Sequence, residues 1–435
     1  MKTLLTFLCA LLTGSLVTAQ QTNMMGCAHD LVLSKMAAAN PEYQNHCQAQ
    51  HEYAVKGSKK QSEERVAVVF QIPVVFHIVH NPDFPEQNIS DEVIQRQIEI
   101  LNEDFRRLNP NAVDTREEFL PVAADCEVEF YLAELDNWGN PTNGIDRVET
   151  EEPYFFFDIF STEITLDAVK FTDQGGVDAW NQDEFLNIWV CSIYAGEFAQ
   201  LFGFAYPPEG AANWEGLIDD VPEGTEGVVV NYTVVGDNNP QANDDNFLGN
   251  DGGRVLTHEV GHYLGLRHTW GDGFFDGCAA DDGMADTPNI DYNNAYACTL
   301  GDNSCDEGEG DLPDMSENYM DYNQDDCVNV FTNDQVNMMR FNLEEFRPEL
   351  IDGIFVSVNE AILPEIQVYP NPASNLVRIN ADRKMNVTFH DITGRIVETI
   401  SLNLGVNELN VQAFEAGVYL IQSEEGLLLE RLVIQ

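Results

Sequence analysis

The chain has 435 residues, and 21 lysines and arginines stand against 74 aspartates and glutamates, a formal net charge of −53. A surface this acidic repels nucleic acid and anionic membranes, which excludes nucleic-acid binding. It either favours cations and basic substrates or keeps a secreted protein soluble. Hydrophobic residues make up 44% of the chain, ample for packed cores, so the length predicts two or three folded units.

The N-terminus has the pattern of a secretory signal peptide. Lys2 precedes an apolar run from Leu4 to Val17, and the small residues that end at Ala19 form a cleavage site. No stretch approaches the roughly 20 apolar residues that a membrane span requires. We therefore expect residues 1–19 to be removed on export and the remaining chain to have no transmembrane segment. Eight cysteines remain once Cys9 is lost, an even number that favours disulfides in an exported chain.

Residues 20–66 form a polar block that ends in the basic stretch KGSKKQSEERV. Exposed joints of this kind are cut readily by proteases. We interpret residues 20–66 as a removable pro-segment. A main block at 67–350, a linker at 351–364 and a C-terminal block at 365–435 follow.

The main block alternates strand and helix patterns. VAVVFQIPVVFHIVH (66–80) is a nearly continuous apolar run rich in β-branched residues, typical of a buried strand. SDEVIQRQIEILNEDFRRLN (90–109) predicts a helix capped by Ser90. Further strands are predicted at 126–135, 185–193, 201–208 and 227–235. The mixture predicts an α+β fold, in which LFGFAYPP (201–208) is either an edge strand that pairs with an extended peptide or an ordinary strand and turn.

Residues 257–270, THEVGHYLGLRHTW, contain three of the nine histidines of the chain. A helix is predicted from about Gly253 to Gly265, a residue suited to the left-handed end of a helix. His258 and His262 are four residues apart and project from one face, where two neutral imidazoles can share one zinc. Because Gly265 lets the chain turn, His268 can return as a third ligand.

Three protein ligands leave one zinc position for water, which is the arrangement of a catalytic site. Glu259 adjoins the first ligand and is expected to face that position. Zinc lowers the pKa of its water from about 15.7 to about 7. The motif therefore predicts hydrolysis by attack of zinc-bound water, with Glu259 as general base and acid.

The stretch from 271 to 339 differs from the rest of the block in charge. Between Arg267 and Arg340 there is no lysine or arginine, while seventeen acidic residues lie from Asp272 to Asp334. Apolar periodicity is weak, and glycine, aspartate and asparagine are common. Irregular loops held by cysteines and calcium are predicted.

The motif HEVGHYLGLRH, with DGMADTP (282–288) and ENYMDY (317–322), resembles the pappalysin family of metzincins, especially its compact bacterial members, over about residues 68–348. The resemblance implies an α+β catalytic domain with a twisted mixed sheet, long helices and an irregular, disulfide-linked lower subdomain. It also implies that His258, His262 and His268 bind zinc and that Glu259 is catalytic.

The same resemblance implies further roles in the acidic loops. Met320 would form a turn beneath the metal, and Tyr322 would hydrogen-bond the oxyanion of the tetrahedral intermediate. Asp326 would lie at the floor of the pocket for the residue after the scissile bond, where a carboxylate pairs with arginine or lysine. Asp325 and Asp321 are close enough in sequence to be alternatives.

The resemblance also implies the covalent and metal bonds of these loops. The four cysteines after the histidine helix would pair in interleaved order, Cys278 with Cys305 and Cys298 with Cys327. Family members hold calcium in this region, and the expected oxygen ligands are Asp282, Asp286 and Thr287. The sequence leaves open whether Cys126 pairs with Cys191.

Pappalysin pro-segments silence the enzyme by placing a cysteine sulfur on the zinc. Cys27 in MMGCAHDLVL is the match by position, although Ala28 stands where the family usually has glycine. Cys47 is the alternative, and a structural role for both is also open. The pro-segment would then be the enzyme's own inhibitor, released by a cut near Glu64 and Arg65.

The block at 365–435 has short alternating strands separated by turns, which predicts a small all-β sandwich. VYPNPASNLVRI (368–379), DITGRIV (391–397), GVYLIQ (417–422) and the ending ERLVIQ resemble the C-terminal sorting domain of the type IX secretion system of Bacteroidetes. The resemblance implies the secretion machinery as a partner. It also implies a protein that passes the periplasm and outer membrane and is secreted or attached to the cell surface. A sandwich that binds carbohydrate or protein is the alternative.

These observations predict a secreted zinc endopeptidase, made as a zymogen, that acts on proteins or peptides with arginine or lysine after the scissile bond. Two other classes stay open. One is a catalytically weak surface binding protein in which the C-terminal module does the binding, and the other is a zinc hydrolase of a non-peptide bond.

Overall fold

The computed structural model divides the chain into two compact units, Met1–Phe355 and Val356–Gln435. The residues it describes are 23–24, 27–39, 43–62, 68–158, 161, 164–196, 199–207, 224–242, 249–271, 277–292, 298–306, 308, 310–351, 366–381, 384–391, 395–403, 405–414, 416–423 and 428–435. The predicted signal peptide and the predicted cut near Glu64 and Arg65 lie outside these residues. Within them, no helix is long and apolar enough to cross a membrane.

The first unit has the α+β composition that was predicted. Its strands are β1 (Asn23–Met24), β2 (Phe70–His80), β3 (Ala123–Ala124), β4 (Val128–Leu132), β5 (Ile145–Glu149), β6 (Phe155–Phe156), β7 (Leu186–Cys191), β8 (Ile193–Tyr194), β9 (Ala199–Gln200), β10 (Gly203–Tyr206), β11 (Gly227–Asn231) and β12 (Phe331–Thr332). Its helices are α1 (His29–Ala39), α2 (Tyr43–Ser62), α3 (Asp91–Phe105), α4 (Arg254–Tyr263), α5 (Asn333–Phe346) and α6 (Pro348–Ile351).

A six-stranded mixed sheet forms the centre of this unit, in the order β10–β11–β7–β2–β4, with β5 also paired to β2. β2 runs parallel to β4, β5 and β7, whereas β10 is antiparallel to β11 and forms an edge. Parallel strands covered on both faces need apolar residues throughout, and β2 and β7 are buried along nearly their whole length. The strong apolar runs of the sequence therefore became the central strands.

Helices α3 and α4 share one hydrophobic core with the sheet. Ile94 and Leu101 of α3 and Val260 of α4 are fully buried in it. Ser90 has the extended backbone of an N-cap, as predicted, but its side chain makes no capping hydrogen bond. Burial of the apolar face of α3, rather than its cap, holds the helix in place.

The loops predicted for 271–339 end earlier than expected, because α5 begins at Asn333. A capping box starts this helix: the Thr332 hydroxyl accepts from the Gln335 backbone N–H, and the Gln335 side chain accepts from the Thr332 N–H. Val336 and Met339 then enter the main core. The short α6 and the helices α1 and α2 of the predicted pro-segment were likewise not predicted.

Two disulfides tie the loops after α4. The structure pairs Cys278 with Cys305 and Cys298 with Cys327, so the two bridges interleave along the chain. A loop of this length contributes about 3–4 kcal/mol to stability. Cys126 and Cys191 are buried, and no disulfide joins them.

The second unit is made of strands among its described residues. They are β13 (Ile366–Tyr369), β14 (Leu376–Ala381), β15 (Met385–Asp391), β16 (Ile396–Leu402), β17 (Gly405–Asn410), β18 (Gly417–Ser423) and β19 (Leu428–Ile434). They form two antiparallel sheets in the orders β13–β14–β17 and β16–β15–β18–β19. Val377, Phe389 and Ile421 are fully buried between them, and the result is the sandwich-like module that was predicted.

Candidate metal centre

Helix α4 carries two of the predicted zinc ligands and is fixed at its start by α3. Gly253 lies at the N-cap with φ +76°, a conformation that favours glycine. Gln97 of α3 donates to the Gly253 carbonyl at 2.9 Å and accepts from the Gly236 N–H at 2.7 Å. A Cβ at Gly253 would lie 2.9 Å from Gln97 Oε1. Position 253 therefore needs glycine for both backbone conformation and space.

The C-terminal end of α4 turns the chain back toward the histidines. Gly265 has φ +93°, and a Cβ there would overlap the Asn342 side-chain amide. Asn342 uses this amide to donate to the Leu264 carbonyl at 2.9 Å, and the Leu266 N–H donates to the Gly261 carbonyl at 3.0 Å. This closed turn carries the chain to His268.

The three histidines converge through their Nε2 atoms. The separations are 3.1 Å for His258–His262, 3.1 Å for His262–His268 and 3.3 Å for His258–His268. Each Nδ1 faces an oxygen that only accepts, at 2.7 Å from the Tyr319 carbonyl, 2.8 Å from the Leu266 carbonyl and 2.9 Å from Asp30 Oδ1. With Nδ1 donating, each neutral ring presents an unprotonated Nε2.

This donor set fits a zinc ion. Burial lowers the pKa of His258 and His262 well below the usual value, so both rings stay neutral and available as ligands. Three lone pairs facing one another repel unless a cation lies between them. Nitrogens about 2.0–2.1 Å from one tetrahedral zinc lie about 3.3 Å from one another. Among the described residues, the group able to hold a metal is Cys27, His258, His262 and His268, with ligand atoms within 4.8 Å of each other.

Met320 lies directly beneath α4. A Cβ on Gly261 would overlap its sulfur, so helix and methionine meet at a residue without a side chain. The Met320 N–H donates to Asn318 Oδ1 at 2.9 Å, and the Asn318 amide pairs with the Gln335 amide at 2.9 and 3.0 Å. The turn under the histidines is thereby attached to the capping box of α5.

Glu259 is fully buried beside the histidines, and its burial raises the pKa of the carboxyl to about 8. Oε2 accepts from the Cys27 thiol at 3.4 Å, whereas Oε1 is buried without a hydrogen-bond partner. The edge strand β10 passes close by, since a Cβ on Gly203 would lie 3.0 Å from Glu259 Cγ. The raised pKa makes the ionised carboxylate a stronger base, and Oε1 has no hydrogen-bond partner among the described residues.

The segment from 27 to 30 fills the cleft in front of this centre. Cys27 forms a parallel bridge with Gly203, and the Ala28 N–H donates to the Gly203 carbonyl at 3.1 Å. The His29 ring stacks on His262, with 4.1 Å between centroids. LFGFAYPP thus provides the edge to which this segment adds. Cys47 lies in α2, but its side chain is outside the described residues.

Tyr322 lies on the other side of the cleft. Its ring is 4.7 Å from the His268 ring and 4.7 Å from the Trp270 ring, centroid to centroid. Its hydroxyl donates to the Cys27 carbonyl at 3.1 Å. Tyr322 is therefore placed to donate to a peptide carbonyl near the metal ligands.

Of the two adjacent aspartates at positions 325 and 326, Asp325 lines the cavity beside Glu259 and Asp326 does not. The Asp325 Oδ2 accepts from the backbone N–H groups of Gly252 at 2.8 Å and Arg254 at 3.3 Å, at the start of α4. Asp326, the residue predicted for the pocket floor, is exposed and does not line this cavity. Because the Asp325 side chain is drawn inward to cap α4, the next side chain turns outward. Burial raises the pKa of Asp325 to about 7.

The predicted calcium ligands do not all come together. Both carboxylate oxygens of Asp282 accept from the Thr287 hydroxyl, at 2.9 and 2.8 Å. Asp286 instead faces the start of α5, where its Oδ2 accepts from the Asp334 N–H at 3.0 Å. Asp282 and Thr287 thus form one small cluster, and Asp286 caps a helix.

Two carboxylates that orient the histidines were missed from the sequence. Asp30 accepts from His268, and Asp104 of α3 accepts from the Tyr319 hydroxyl at 2.7 Å and the Thr257 hydroxyl at 2.8 Å. The Tyr319 carbonyl in turn accepts from His258. The sequence did contain one signal for Asp104. It falls on the apolar face of α3, where a charged residue is rarely buried without a partner.

Comparison with known families gives two matches along the chain. Residues 172–344 match a peptidase family described as pregnancy-associated plasma protein-A. Residues 367–435 match the secretion system C-terminal sorting domain. The second match shows that the protein is exported by type IX secretion to the cell surface or beyond it.

Solved structures and curated relatives agree with the first match. Promirolysin of Tannerella forsythia is 35% identical, with a TM-score of 0.60 over 75% of this chain and 97% of that one. Mature mirolysin in complex with a cleaved peptide is 38% identical, with a TM-score of 0.54 over 65% of this chain and 96% of that one. An extracellular metalloprotease of Arthroderma benhamiae is 33% identical over 63% of this chain and 73% of its own length. The chain therefore belongs to the pappalysin family of zinc metalloendopeptidases, and its last unit is a type IX sorting domain.

Proposed function

We propose that the protein cleaves peptide bonds with His258, His262 and His268 holding the zinc and Glu259 acting as general base and acid. One observation carries this proposal: the Nε2 atoms of three histidines lie within 3.3 Å of one another beside a buried carboxyl. When bound, zinc polarises the substrate carbonyl and lowers the pKa of water toward about 7. Glu259 would take the proton of the attacking water and pass it to the leaving amine.

Tyr322 would stabilise the charge that develops on the carbonyl oxygen. Its hydroxyl already donates to a peptide carbonyl, that of Cys27. Once the pro-segment leaves, the same hydroxyl would be available to the substrate. A donor placed where charge develops stabilises the transition state more than the ground state.

Glu259→Gln tests the mechanism, with Glu184→Gln, an exposed glutamate, as the matched control. We expect kcat of the processed enzyme on casein to fall by about 10²–10⁴-fold with Glu259→Gln. The zinc content, measured by atomic absorption, should stay the same. Glu184→Gln should leave both quantities unchanged. Full activity in Glu259→Gln would sink the mechanism, and failure of the wild type to cut casein would favour a non-peptide substrate.

The zymogen would be held silent by Cys27. Its sulfur lies with the three histidine nitrogens in one group, and the His29 N–H donates to it at 3.3 Å. A thiolate is a strong zinc ligand and would occupy the position that water needs. Residues 20–66 would be the pro-segment, and a cut near Glu64 and Arg65 would separate it covalently from the protease.

Specificity for arginine or lysine after the scissile bond would come from Asp325 in place of Asp326. Asp325 and Asp321 both line the cavity beside Glu259, and Asp325 is the neighbour of the predicted Asp326. A basic side chain entering the cavity would form a charge-assisted hydrogen bond with it. The strong acidity of the whole chain also favours basic substrates.

Calcium would bind at Asp282 and Thr287. Burial raises the pKa of Asp282 well above its usual value, so a nearby cation would stabilise the ionised form. Hard oxygen ligands of this kind suit calcium.

The remaining boundaries would be 67–350 for the protease, 351–364 for the linker and 365–435 for the sorting domain. The division between the two compact units falls between residues 355 and 356, inside the proposed linker, which supports this arrangement.

A further inference from the structure

The pro-segment contacts the protease at two separate places. One is the cleft, where residues 27–30 lie against the histidines. The other is the outer side of α5, which is covered by α2. The second contact involves no metal ligand, so it can hold the pro-segment independently of the zinc.

Helix α2 packs closely on Phe341 of α5. A Cβ on Gly57 would overlap the Phe341 ring, so this ring lies directly against the backbone of α2. Tyr53 meets the same ring edge-on at 5.8 Å between centroids, and its hydroxyl donates to Glu345 at 2.9 Å. Phe341 belongs to the main hydrophobic core, and so does Ala54 of α2. The contact is apolar at its centre and hydrogen-bonded at its rim, as in stable interfaces.

The inner face of α2 is continuous. His51, Ala54 and Ser58 are all buried and follow helical spacing. His51 and Val55 lie against Gly283, whose Cβ would be 2.6 Å from His51 Nε2. The surface beneath α2, which we call the α5 surface, therefore consists of Phe341, Glu344 and Glu345 with the turn at Gly283.

Charge favours the same contact. Lys59 and Lys60 lie in the last turn of α2, while Glu344 and Glu345 lie in the last turns of α5. The Gln61 amide hydrogen-bonds to Glu344, which places these two ends side by side. A basic helix end on an acidic surface is complementary.

We infer that the α5 surface is a docking site for the protein's own cut pro-segment. The inference rests on the proposed role of residues 20–66. A cut near Glu64 and Arg65 falls after α2, so it leaves α1, α2 and Cys27 on one peptide. That peptide stays bound through α2 and remains an inhibitor until α2 itself is cut or displaced.

Retention can be measured on the zinc-loaded full chain. A recognition site for a sequence-specific protease is inserted after residue 64, and every protein carries Glu259→Gln so that it cannot digest itself. After the cut, gel filtration at decreasing concentration reports whether the pro-segment co-elutes. We expect it to remain bound in the reference protein. Gly57→Leu should release it at least tenfold faster, although leucine is the better helix former.

The controls separate the two contacts. Ala49→Leu adds the same side chain to the exposed side of α2 and should behave like the reference. If Gly57→Leu does not fold, Tyr53→Ala takes its place as the test. Tyr53 is half-exposed, and its substitution should also speed release of the pro-segment. Cys27→Ser alone should leave the pro-segment bound.

Release as fast from the reference as from Gly57→Leu, or full release by Cys27→Ser alone, would overturn the inference. A separate assay tests the proposed latch. In this assay the chain is uncut, carries Cys27→Ser and keeps Glu259. If it gains no activity, the proposed inhibition by Cys27 is refuted, but the retention result is unaffected.

Discussion

Cys27 and Asp30 lie three residues apart and act on the same centre in different ways. Cys27 brings a sulfur to the histidine nitrogens, while Asp30 accepts from His268 Nδ1 and from the Trp270 indole N–H. If residues 20–66 leave as proposed, the centre would lose one candidate ligand, Cys27, and also the partner that orients His268. Activation would then change both the metal position proposed for water and the support of His268.

Cys27→Ser should raise the activity of the uncut chain at least tenfold, because a hydroxyl is a poor substitute for thiolate on zinc. The His29 and Tyr322 contacts remain, so activity should stay below that of the processed enzyme. Peptide hydrolysis is the first readout. The second is the thiolate-to-metal absorption band of the cobalt-substituted protein, which should disappear. Cys191→Ser, at a buried thiol of the sheet, should change neither.

Asp325 should make the preference for basic residues depend on pH. Burial raises the pKa of this carboxyl to about 7, so it is neutral below that pH and charged above it. The ratio of kcat/KM for arginine over norleucine after the scissile bond should rise as the pH increases from 6 to 8. Asp325→Asn keeps an acceptor for the start of α4 but loses the charge, so its ratio should be low and flat. If Asp326→Asn abolishes the preference and Asp325→Asn does not, the assignment is wrong.

At the scale of elements, α4 is shaped by the absence of side chains at three points. Gly253 begins it, Gly261 leaves room for Met320, and Gly265 ends it. The histidines contribute chemistry, but these glycines let the helix approach α3, the methionine turn and α5. Local spacing predicted the helix correctly, whereas Ser90, placed by the same reasoning at the start of α3, makes no capping hydrogen bond.

Gly265→Ala should destabilise the first unit and loosen the zinc. A left-handed alanine costs about 1–2 kcal/mol, and overlap with Asn342 adds about 1–3 kcal/mol. Zinc affinity, measured by chelator competition, should fall at least tenfold because the turn that carries His268 is displaced. Gly301→Ala is the matched control, since Gly301 has φ +95° and open space around its Cβ. In urea unfolding, Gly301→Ala should lower the free energy of unfolding only by the cost of a left-handed alanine. Its zinc affinity should be unchanged.

At the scale of the whole molecule, the two compact units have separate hydrophobic cores, which predicts two unfolding events. The first unit contains the candidate metal centre and both disulfides. The second is held by its sandwich core. The peptidase match lies in the first unit and the sorting-domain match in the second, so each function lies in a unit with its own core.

Differential scanning calorimetry should show two transitions for the full chain. Chelation of zinc should lower the melting temperature of the first unit only, because the ligand binds its native state alone. Restoring zinc and then adding calcium should raise this transition further, and Asp282→Asn should remove the calcium effect. A single transition, or a shift of both by the chelator, would contradict this description.

Much of the fold followed from local patterns. The apolar runs of β2 and β7 and the spacing of α3 and α4 are properties of short stretches, so they were predicted without tertiary information. α5 was not, because its residues follow a long acidic stretch and its start depends on a capping box between Thr332 and Gln335. The pro-segment helices were missed because much of what stabilises α2 is contact with α5.

The sequence by itself determined the chemistry of this protein. Three histidines and a glutamate within eleven positions predict a zinc site, because a helix brings two histidines to one face and Gly265 lets the third return. Only the tertiary structure decided what surrounds that site. Asp30 meets His268 across 238 residues, Asp104 meets Tyr319 across 215, and Asp325 rather than Asp326 faces the cavity. Contacts over such separations depend on how the elements pack, and no local spacing in the sequence encodes them.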